Sequence, residues 1–293
     1  MDKHILITDL DNTLYDWVTF YTEAFRAMVA VLQRLTSTDE ETLLHEFKHI
    51  HETFGNTEQP FAALELPSVK RAFHTSDHHR LMRELDPAFH EFNKVRKSLL
   101  TPYYGVREQL SALQTSGVTI VGHTEAIAAN AAWRLQKLGL LNYFARLYTL
   151  EGRSVRRETT TYPPWQIEDD FLRELPRAER KPNPALLVDI CSREGFAPSE
   201  AVYVGDSLTR DISMAKTAGV TAVWAKYGLQ YDRKLWSYLV SVSHWTKDDV
   251  KREEALKAQY AAVEPDVTID NFGDLGALFK PKDKAGRARI NAM

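Results

Sequence analysis

The chain has 293 residues, of which 44% are hydrophobic and 11% aromatic, enough apolar material for one large packed domain or two ordinary ones. Its 37 basic and 40 acidic side chains leave a formal net charge of only −3. This balance gives no reason to expect a nucleic acid polymer or an anionic membrane as a partner. A single cysteine, Cys191, excludes an intramolecular disulfide and favours a reducing compartment.

The N-terminal residues show no signal-peptide pattern, and no apolar run approaches the roughly 18 residues of a membrane span. We therefore expect a cytoplasmic protein with no membrane partner. The sequence is compatible with a monomer or a homodimer.

The chain begins with an apolar strand, predicted over residues 4–8, that leads into Asp9 and Asp11. In an open parallel sheet, ligands bind at the carboxyl ends of the strands, which is where these two acids lie. The alternative is that the pair caps a helix and closes a turn. Because two carboxylates so close together repel each other, the pattern favours a site for a hard cation such as Mg²⁺.

Residues 18–100 contain no good strand and are predicted to form a helical insertion, which would be a small second domain. One helix is expected to begin at a capping box formed by Thr38 and Glu41. Another is expected over residues 86–100.

Histidines are frequent in this insertion, and His45 and His49 have the spacing of four residues that can bind a metal on a helix. Because no cysteine or well-placed third ligand accompanies them, we interpret them as ordinary helix histidines. We likewise interpret Trp17 and Tyr21 as packing residues of the insertion rather than substrate contacts.

Thr124 and Lys181 are the next candidate functional residues along the chain. Thr124 follows a predicted strand, and its hydroxyl could cap a helix or bind a phosphate oxygen. Lys181 precedes a helix predicted from the cap Asn183, Pro184 at its first position and Gly195 as its stop. A lysine at such a place is usually solvated, but beside several carboxylates it would balance charge and hold an anion.

A second strand that ends in acidic residues lies in "AVYVGDSLTRDI", where Asp206 follows the strand and Asp211 comes five residues later. Neighbouring strand ends lie about 5 Å apart in a sheet. Asp9 and Asp206 could therefore share one metal ion.

The predicted strands are interspersed with helices, which indicates an α/β fold with helices on both faces of a parallel sheet. Further helices are expected over residues 107–117 and 206–219. The predicted strands are residues 4–8, 118–123, 201–205, 220–225 and 266–270.

Three segments do not fit the alternating pattern. Residues 152–179 are interpreted as a surface loop, with closure over the site as a hypothesis. Residues 229–263 read as amphipathic helix, for which packing against the core is favoured over self-association. Residues 280–293 are expected to be a basic, flexible tail.

The motifs occur in a recognisable order: Asp-x-Asp-x-Thr, a strand-terminal Thr, Lys-Pro-x-Pro, and Gly-Asp-Ser followed by a further Asp. This order resembles the haloacid dehalogenase-like (HAD) hydrolase superfamily. The similarity covers residues 5–16 and nearly all of 103–227, and residues 264–279 resemble the closing strand and helix of the family.

The resemblance implies a Rossmann-like, doubly wound parallel sheet built from residues 1–17 and 101–293, with insertions at 152–179 and 229–263. It also implies that residues 18–100 are a helical cap domain of the C1 type, inserted after the first strand.

In the mechanism that the resemblance implies, Asp9 attacks phosphorus and forms an aspartyl-phosphate. Asp11 protonates the leaving oxygen and later activates water. Thr124 and Lys181 bind the oxygens of the phosphoryl group.

The resemblance also implies a Mg²⁺ cofactor, held by the Asp9 and Asp206 carboxylates and by the backbone carbonyl of Asp11. Asp211 would act through its neighbours, by orienting a metal-bound water or Lys181.

One residue departs from the family pattern, because Glu125 stands where the family more often has a small polar residue. We interpret it as a carboxylate that points outwards at the start of a helix.

The predicted function is Mg²⁺-dependent hydrolysis of a small phosphorylated metabolite, since Asp11 favours phosphoryl transfer over dehalogenation, in which no leaving oxygen needs a proton. The stretch "DLDNTLYD" is most similar to the branch that contains pyrimidine 5′-nucleotidases, which makes a nucleotide one candidate substrate. One alternative is a phosphomutase of the β-phosphoglucomutase type. An alternative of another class is a non-catalytic binding or regulatory protein that retains the fold.

Overall fold

A seven-stranded, all-parallel β-sheet forms the centre of the molecule in the computed structural model, which describes residues 2–152 and 170–279. The strands lie in the order β4-β3-β2-β1-β5-β6-β7. They are β1 (Ile5–Thr8), β2 (Thr119–Ile127), β3 (Arg146–Leu150), β4 (Leu172–Leu175), β5 (Ala201–Gly205), β6 (Thr221–Ala225) and β7 (Val267–Ile269). The predicted α/β class and the Rossmann-like parallel sheet are confirmed.

Strand β1 is buried on both faces because it lies between β2 and β5. Its side chains alternate between two hydrophobic cores: Ile5 and Ile7 belong to one core, and Leu6 belongs to the other. This alternation explains why the strand reads as an unbroken apolar run in the sequence.

Helices cover both faces of the sheet, and six of them precede β2. The helices are α1 (Trp17–Thr36), α2 (Glu40–Phe54), α3 (Pro67–Ala72), α4 (His78–Glu84), α5 (Asp86–Leu99), α6 (Val106–Thr115), α7 (Ala128–Lys137), α8 (Pro184–Arg193), α9 (Ser213–Thr217), α10 (Arg233–Val242) and α11 (Lys247–Gln259). The apolar residues of α8 and α9 share one core with Ile5 and Ile7. Those of α6, α7 and the helical insertion share the other with Leu6.

The sequence prediction missed two of the strands. β3 is a short, mostly buried run that pairs with β2. β4 has the sequence Leu-Arg-Glu-Leu, which contains good helix formers, and it lies at the edge of the sheet beside β3. Its pairing with β3 overrides the local propensity. Residues 170–179, which we expected to belong to a surface loop, thus contain an edge strand, whereas residues 153–169 of that loop lie outside the described residues.

Two predicted helix starts differ from the observed ones. Helix α2 is capped by Asp39, whose carboxylate accepts a hydrogen bond from the Thr42 N–H at 2.8 Å, and not by Thr38. The helix expected over residues 206–219 begins as a π-helical turn, Leu208–Ile212, before it continues as α9. π-Helical turns are rare and often occur at functional sites.

The segment at residues 229–263 contains α10 and α11, in agreement with the predicted helical content. Leu235, Leu239 and Val242 of α10 are buried, and this helix packs against α1 and α2 of the helical insertion. The buried apolar residues of α10 therefore pack against the helical insertion. The predicted basic tail at residues 280–293 lies outside the described residues.

The described part of the chain, with its gap at residues 153–169, contains no helix that is both long and apolar enough to cross a membrane.

Candidate active site

The backbone places Asp9 at the carboxyl end of the central strand. The Asp9 N–H donates to the Val204 carbonyl of β5 at 2.9 Å, so the strand pairing continues up to this residue. Because Thr8 lies opposite Gly122 of β2 and Val204 of β5, the ends of all three strands meet here. Asp9 itself is buried.

The residues after Asp9 form a tight turn that leads into α1. Asn12 has a positive φ of 57°, a conformation that asparagine tolerates better than most residues. Its side-chain oxygen accepts hydrogen bonds from the N–H groups of Trp17 at 3.1 Å and Val18 at 3.4 Å. The turn also brings the Thr13 hydroxyl to within 3.4 Å of Asp9 Oδ2. The polar residues of "DLDNTLYD" thus include the ones that shape the turn.

Lys181 reaches the end of this strand from the loop before α8. Its side chain is only 4% exposed, and its Nζ donates to Asp9 Oδ1 at 2.6 Å and to Asp211 Oδ1 at 2.9 Å. Its backbone is held on both sides, since its N–H donates to Glu125 and its carbonyl accepts from Arg252, each at 2.8 Å. Lys181 is therefore a buried counter-charge and not a solvated lysine.

Asp206 and Asp211 follow β5, and their carboxylate oxygens lie within 4.8 Å of that of Asp9. Asp211 accepts hydrogen bonds from the Tyr203 hydroxyl at 3.2 Å and the Ser207 N–H at 3.1 Å. It approaches the backbone so closely that a Cβ on Gly205 would lie 2.4 Å from its carboxyl carbon. The glycine of the Gly-Asp-Ser motif is thus required by the packing of Asp211.

These four residues, Asp9, Lys181, Asp206 and Asp211, are called the carboxylate–lysine cluster below. Burial, followed by the negative charges of Asp211 and Asp11, raises the pKa of Asp9 to about 7 even though Lys181 opposes the shift. Burial and the charges of Asp211 and Asp9 hold the pKa of Asp206 well above its usual range. Burial alone would lower the pKa of Lys181, but the two carboxylates that it contacts raise it.

The cluster therefore contains three carboxylates and one ammonium group, and oxygen atoms of the three carboxylates lie within 4.8 Å of one another. Oxygen ligands in such an arrangement suit a hard divalent cation, which would remove the excess negative charge. Within residues 2–152 and 170–279, no other group of His, Cys, Asp and Glu side chains has this geometry. The insertion histidines do not form a metal site there; His51, for example, is buried and bonded to the Val242 carbonyl at 2.7 Å.

Thr124 lies within β2, where the pairing with β3 becomes irregular after His123, and not after the strand as predicted. It is buried, and its hydroxyl oxygen accepts a hydrogen bond from the Ala126 N–H at 3.1 Å. Its contact with a phosphoryl oxygen stays a prediction. The expectation for Glu125 was wrong. Strand β2 continues to Ile127, so Glu125 is not at a helix start, and its carboxylate binds the Lys181 N–H and lies 3.4 Å from Arg210.

The side chain of Asp11 does not join the cluster but forms an ion pair with Arg134 of α7, at 2.5 Å. Arg134 is only 2% exposed, and its other terminal nitrogen binds Glu58 of the helical insertion. Glu58 in turn accepts from the Trp17 indole N–H at 2.9 Å. We call this arrangement of Asp11, Arg134 and Glu58 the arginine bridge. Burial would lower the pKa of Arg134, but Asp11 and Glu58 raise it well above its usual range.

Sequence reasoning missed Arg134 and Glu58. Arg134 does carry a signal, because it lies three residues after Ala131 and four before Leu138, on the buried face of an amphipathic helix. A charge on that face requires a partner. Glu58 lies between helices and has no comparable signal.

Comparisons with known proteins show the family and the fold of the chain. Residues 4–219 match the profile of the haloacid dehalogenase-like hydrolase family. A glyceraldehyde 3-phosphate phosphatase of Methanopyrus kandleri is 27% identical over 79% of this chain and 87% of its own length. A phosphoglycolate phosphatase of Agrobacterium fabrum is 26% identical over 75% of each chain. The crystal structure of a 2-haloacid dehalogenase from Pseudomonas syringae superimposes with a TM-score of 0.53 at 19% identity, covering 95% of this chain and 98% of the dehalogenase, and so supports the fold.

Proposed function

Since this chain belongs to the haloacid dehalogenase-like hydrolase family, we propose that it is a Mg²⁺-dependent phosphatase that hydrolyses a small phosphorylated metabolite. The observation that carries the proposal is the carboxylate–lysine cluster, in which buried Lys181 joins Asp9 and Asp211 at the end of the central strand. The names of the two phosphatase relatives support a small monoester as substrate.

In the proposed reaction, a carboxylate oxygen of Asp9 attacks phosphorus while the bond between phosphorus and the ester oxygen breaks. The Asp11 carboxyl gives its proton to the departing oxygen, which leaves as an alcohol. Water then attacks the phosphorus of the aspartyl-phosphate, Asp11 accepts the proton of that water, and Asp9 is released together with inorganic phosphate. Lys181 is held beside Asp9, where it would bind a phosphoryl oxygen, and Thr124 would bind another.

The Asp9 and Asp206 carboxylates and the Asp11 backbone carbonyl would hold the Mg²⁺ ion, with Asp211 orienting Lys181 or a water. When bound, the ion supplies positive charge that stabilises the phosphoryl group during transfer. The chain's own contribution is to keep Asp9 fixed and to shield Asp9, Lys181 and Asp211, which are buried, from bulk water.

The helical insertion, residues 18–100, would act as a cap over this site. Its Glu58 contacts Arg134 of the core, and α10 and α11 bridge the same boundary, since α10 packs on α1 and α2 while Arg252 and Glu253 of α11 bind Lys181 and Arg210. A cap that closes on the core would keep water away from the aspartyl-phosphate.

We expect the purified protein to release inorganic phosphate from several small monoesters only when Mg²⁺ is present. A panel that includes 2-phosphoglycolate, glyceraldehyde 3-phosphate, pyrimidine nucleotide monophosphates and β-glucose 1-phosphate tests this, with phosphate release and ³¹P NMR as readouts. Conversion of the sugar phosphate to its isomer without phosphate release would identify a phosphomutase instead. No turnover across the panel would favour the non-catalytic alternative.

We also expect the stability that Asp9 contributes to the Mg²⁺-free protein to fall as pH rises from about 4 to about 7. In this range the Asp9 carboxyl binds a proton in the folded protein but not in the unfolded chain, because burial raises its pKa to about 7 from an ordinary value of 3.8. Mg²⁺ replaces those protons, so it should raise the melting temperature more at about pH 8 than at about pH 5. Thermal melts with and without Mg²⁺ measure this difference.

In the variant Asp206→Asn, Mg²⁺ should raise the melting temperature much less than it does in the wild type. The control Asp189→Asn, at an exposed ion pair on α8, should show the same rise as the wild type. Equal rises at both pH values in the wild type would contradict the expectation.

A further inference from the structure

Helix α11 lies on the loop that carries Lys181, although none of the residues of this helix is buried. Two neighbouring residues of α11 contact the core: Arg252 donates to the Lys181 carbonyl, and Glu253 accepts from Arg210, each at 2.8 Å. A third residue of the helix, Asp249, forms an ion pair with the core at 2.9 Å. Charged contacts, and not apolar burial, therefore hold α11 on the core.

These contacts close a ring around the backbone of Lys181. Its N–H donates to Glu125 at 2.8 Å, and the other carboxylate oxygen of Glu125 lies 3.4 Å from Arg210. Arg210 binds Glu253, whose neighbour Arg252 donates to the Lys181 carbonyl. Because Lys181 lies outside any helix or strand, side chains take the place of the partners that a regular element would provide. We call Glu125, Arg210, Arg252 and Glu253 the lysine clamp.

The lysine clamp is built from parts in which this chain departs from the family pattern. Glu125 stands where the family more often has a small polar residue, and α11 belongs to the insertion at residues 229–263. The segment just before α11 is also fixed, because Lys48 of α2 donates to the carbonyls of Ser243 at 3.2 Å and Trp245 at 3.4 Å. Helix α11 is thus held at its start and along the side that contacts the core.

The place of the Lys181 ammonium depends on its backbone, because a lysine side chain is a flexible four-carbon stem with a compact charge at its end. Its Nζ contacts Asp9 at 2.6 Å and Asp211 at 2.9 Å. A misplacement of about 1 Å in a group that acts on the reacting atoms can cost about 100-fold in rate. Contacts that fix the Lys181 backbone therefore bear on the rate of phosphoryl transfer.

We propose that Arg252 is a positioning residue that fixes the backbone of Lys181, so that α11 is needed for efficient phosphoryl transfer. This inference rests on the proposed phosphatase function, in which the Lys181 ammonium binds a phosphoryl oxygen. The other members of the lysine clamp support Lys181 from its N–H side. Arg252 is not among the residues proposed to hold Mg²⁺, so the metal site should stay intact when it is changed.

Arg252→Met is expected to lower kcat on p-nitrophenyl phosphate by about 10- to 100-fold, with little change in KM. The loss falls on kcat because the alignment of the ammonium matters most while negative charge shifts in the transition state. Arg252→Lys should stay within about threefold of the wild type, since its ammonium can still donate to the Lys181 carbonyl. Mg²⁺ should raise the melting temperature of both variants as it does in the wild type, which reports an intact fold and metal site.

Arg252→Met combined with Lys181→Met should stay within about twofold of Lys181→Met alone, because Arg252 acts through Lys181. Lys251→Met is the matched control and should match the wild type, since Lys251 is the neighbouring residue of α11 but pairs with Asp248 of the same helix. Three outcomes would each overturn this inference alone: a kcat of Arg252→Met within about twofold of the wild type, an equal loss in Arg252→Lys, or a further loss in the double variant. A wild type that hydrolyses no monoester would overturn the proposed function and this inference with it.

Discussion

Asp9→Asn is expected to lower kcat for phosphate release by at least about 10³-fold, the largest effect of any single change in this protein. The amide cannot form the aspartyl-phosphate, although it has nearly the same size and occupies the same place at the end of β1. Phosphate release with Mg²⁺ and the most active ester of the panel is the measurement. A variant that keeps its activity would contradict the proposed role of Asp9.

The same substitution separates catalysis from stability. The cluster has three carboxylates for one lysine, so removing one negative charge should relieve repulsion among those that remain. Without Mg²⁺, the melting temperature of Asp9→Asn at about pH 8 should therefore equal or exceed that of the wild type. Asp189→Asn controls for the loss of a surface carboxylate and should change neither kcat nor the melting temperature.

Arg134→Met is expected to be the most destabilising change outside the hydrophobic core, lowering the free energy of unfolding by about 3–5 kcal/mol. The substitution leaves the carboxylates of Asp11 and Glu58, whose side chains are 23% and 13% exposed, without their shared partner. Chemical denaturation followed by circular dichroism measures the loss. Turnover should fall as well, because Arg134 positions the side chain of Asp11.

Arg134→Lys should recover part of the stability, since an ammonium group can pair with one carboxylate but does not match the fork that joins two. Glu58→Gln combined with Arg134→Met should cost less than the sum of the single changes, because the two residues are in contact. Lys137→Met, at an exposed position on the same helix, is the control and should change stability by less than about 0.5 kcal/mol. A loss of that small size in Arg134→Met would show that the arginine bridge does not stabilise the fold.

The predicted candidate residues that meet in the structure share one property, which is their position next to a strand or at the start of a helix. Asp9 and Asp206 directly follow parallel strands, so their approach follows from the sheet itself. Lys181 precedes the well-capped helix α8. It is buried because it pairs with the carboxylates whose negative charge it balances. The resemblance to the hydrolase family was visible in the sequence because each of these residues belongs to a short, continuous motif.

Edge strand β4 could not be predicted because its sequence contains good helix formers and becomes a strand only through pairing with β3. The cap of α2 was misplaced by one residue because Thr38 and Asp39 are both good capping residues, and the backbone geometry selected Asp39. Glu125 was misread because its partners, Lys181 and Arg210, are far away in the chain.

The sequence alone determined the parallel α/β core, the helical insertion and the residues that form the carboxylate–lysine cluster, because hydrophobic patterns and strand ends are local features. The tertiary structure decided how the side chain of Asp11 is held. Asp11, Glu58 and Arg134 come from separate segments, and only the packing of the insertion against α7 gives each charge its partner. These contacts join distant parts of the chain, which no local pattern encodes.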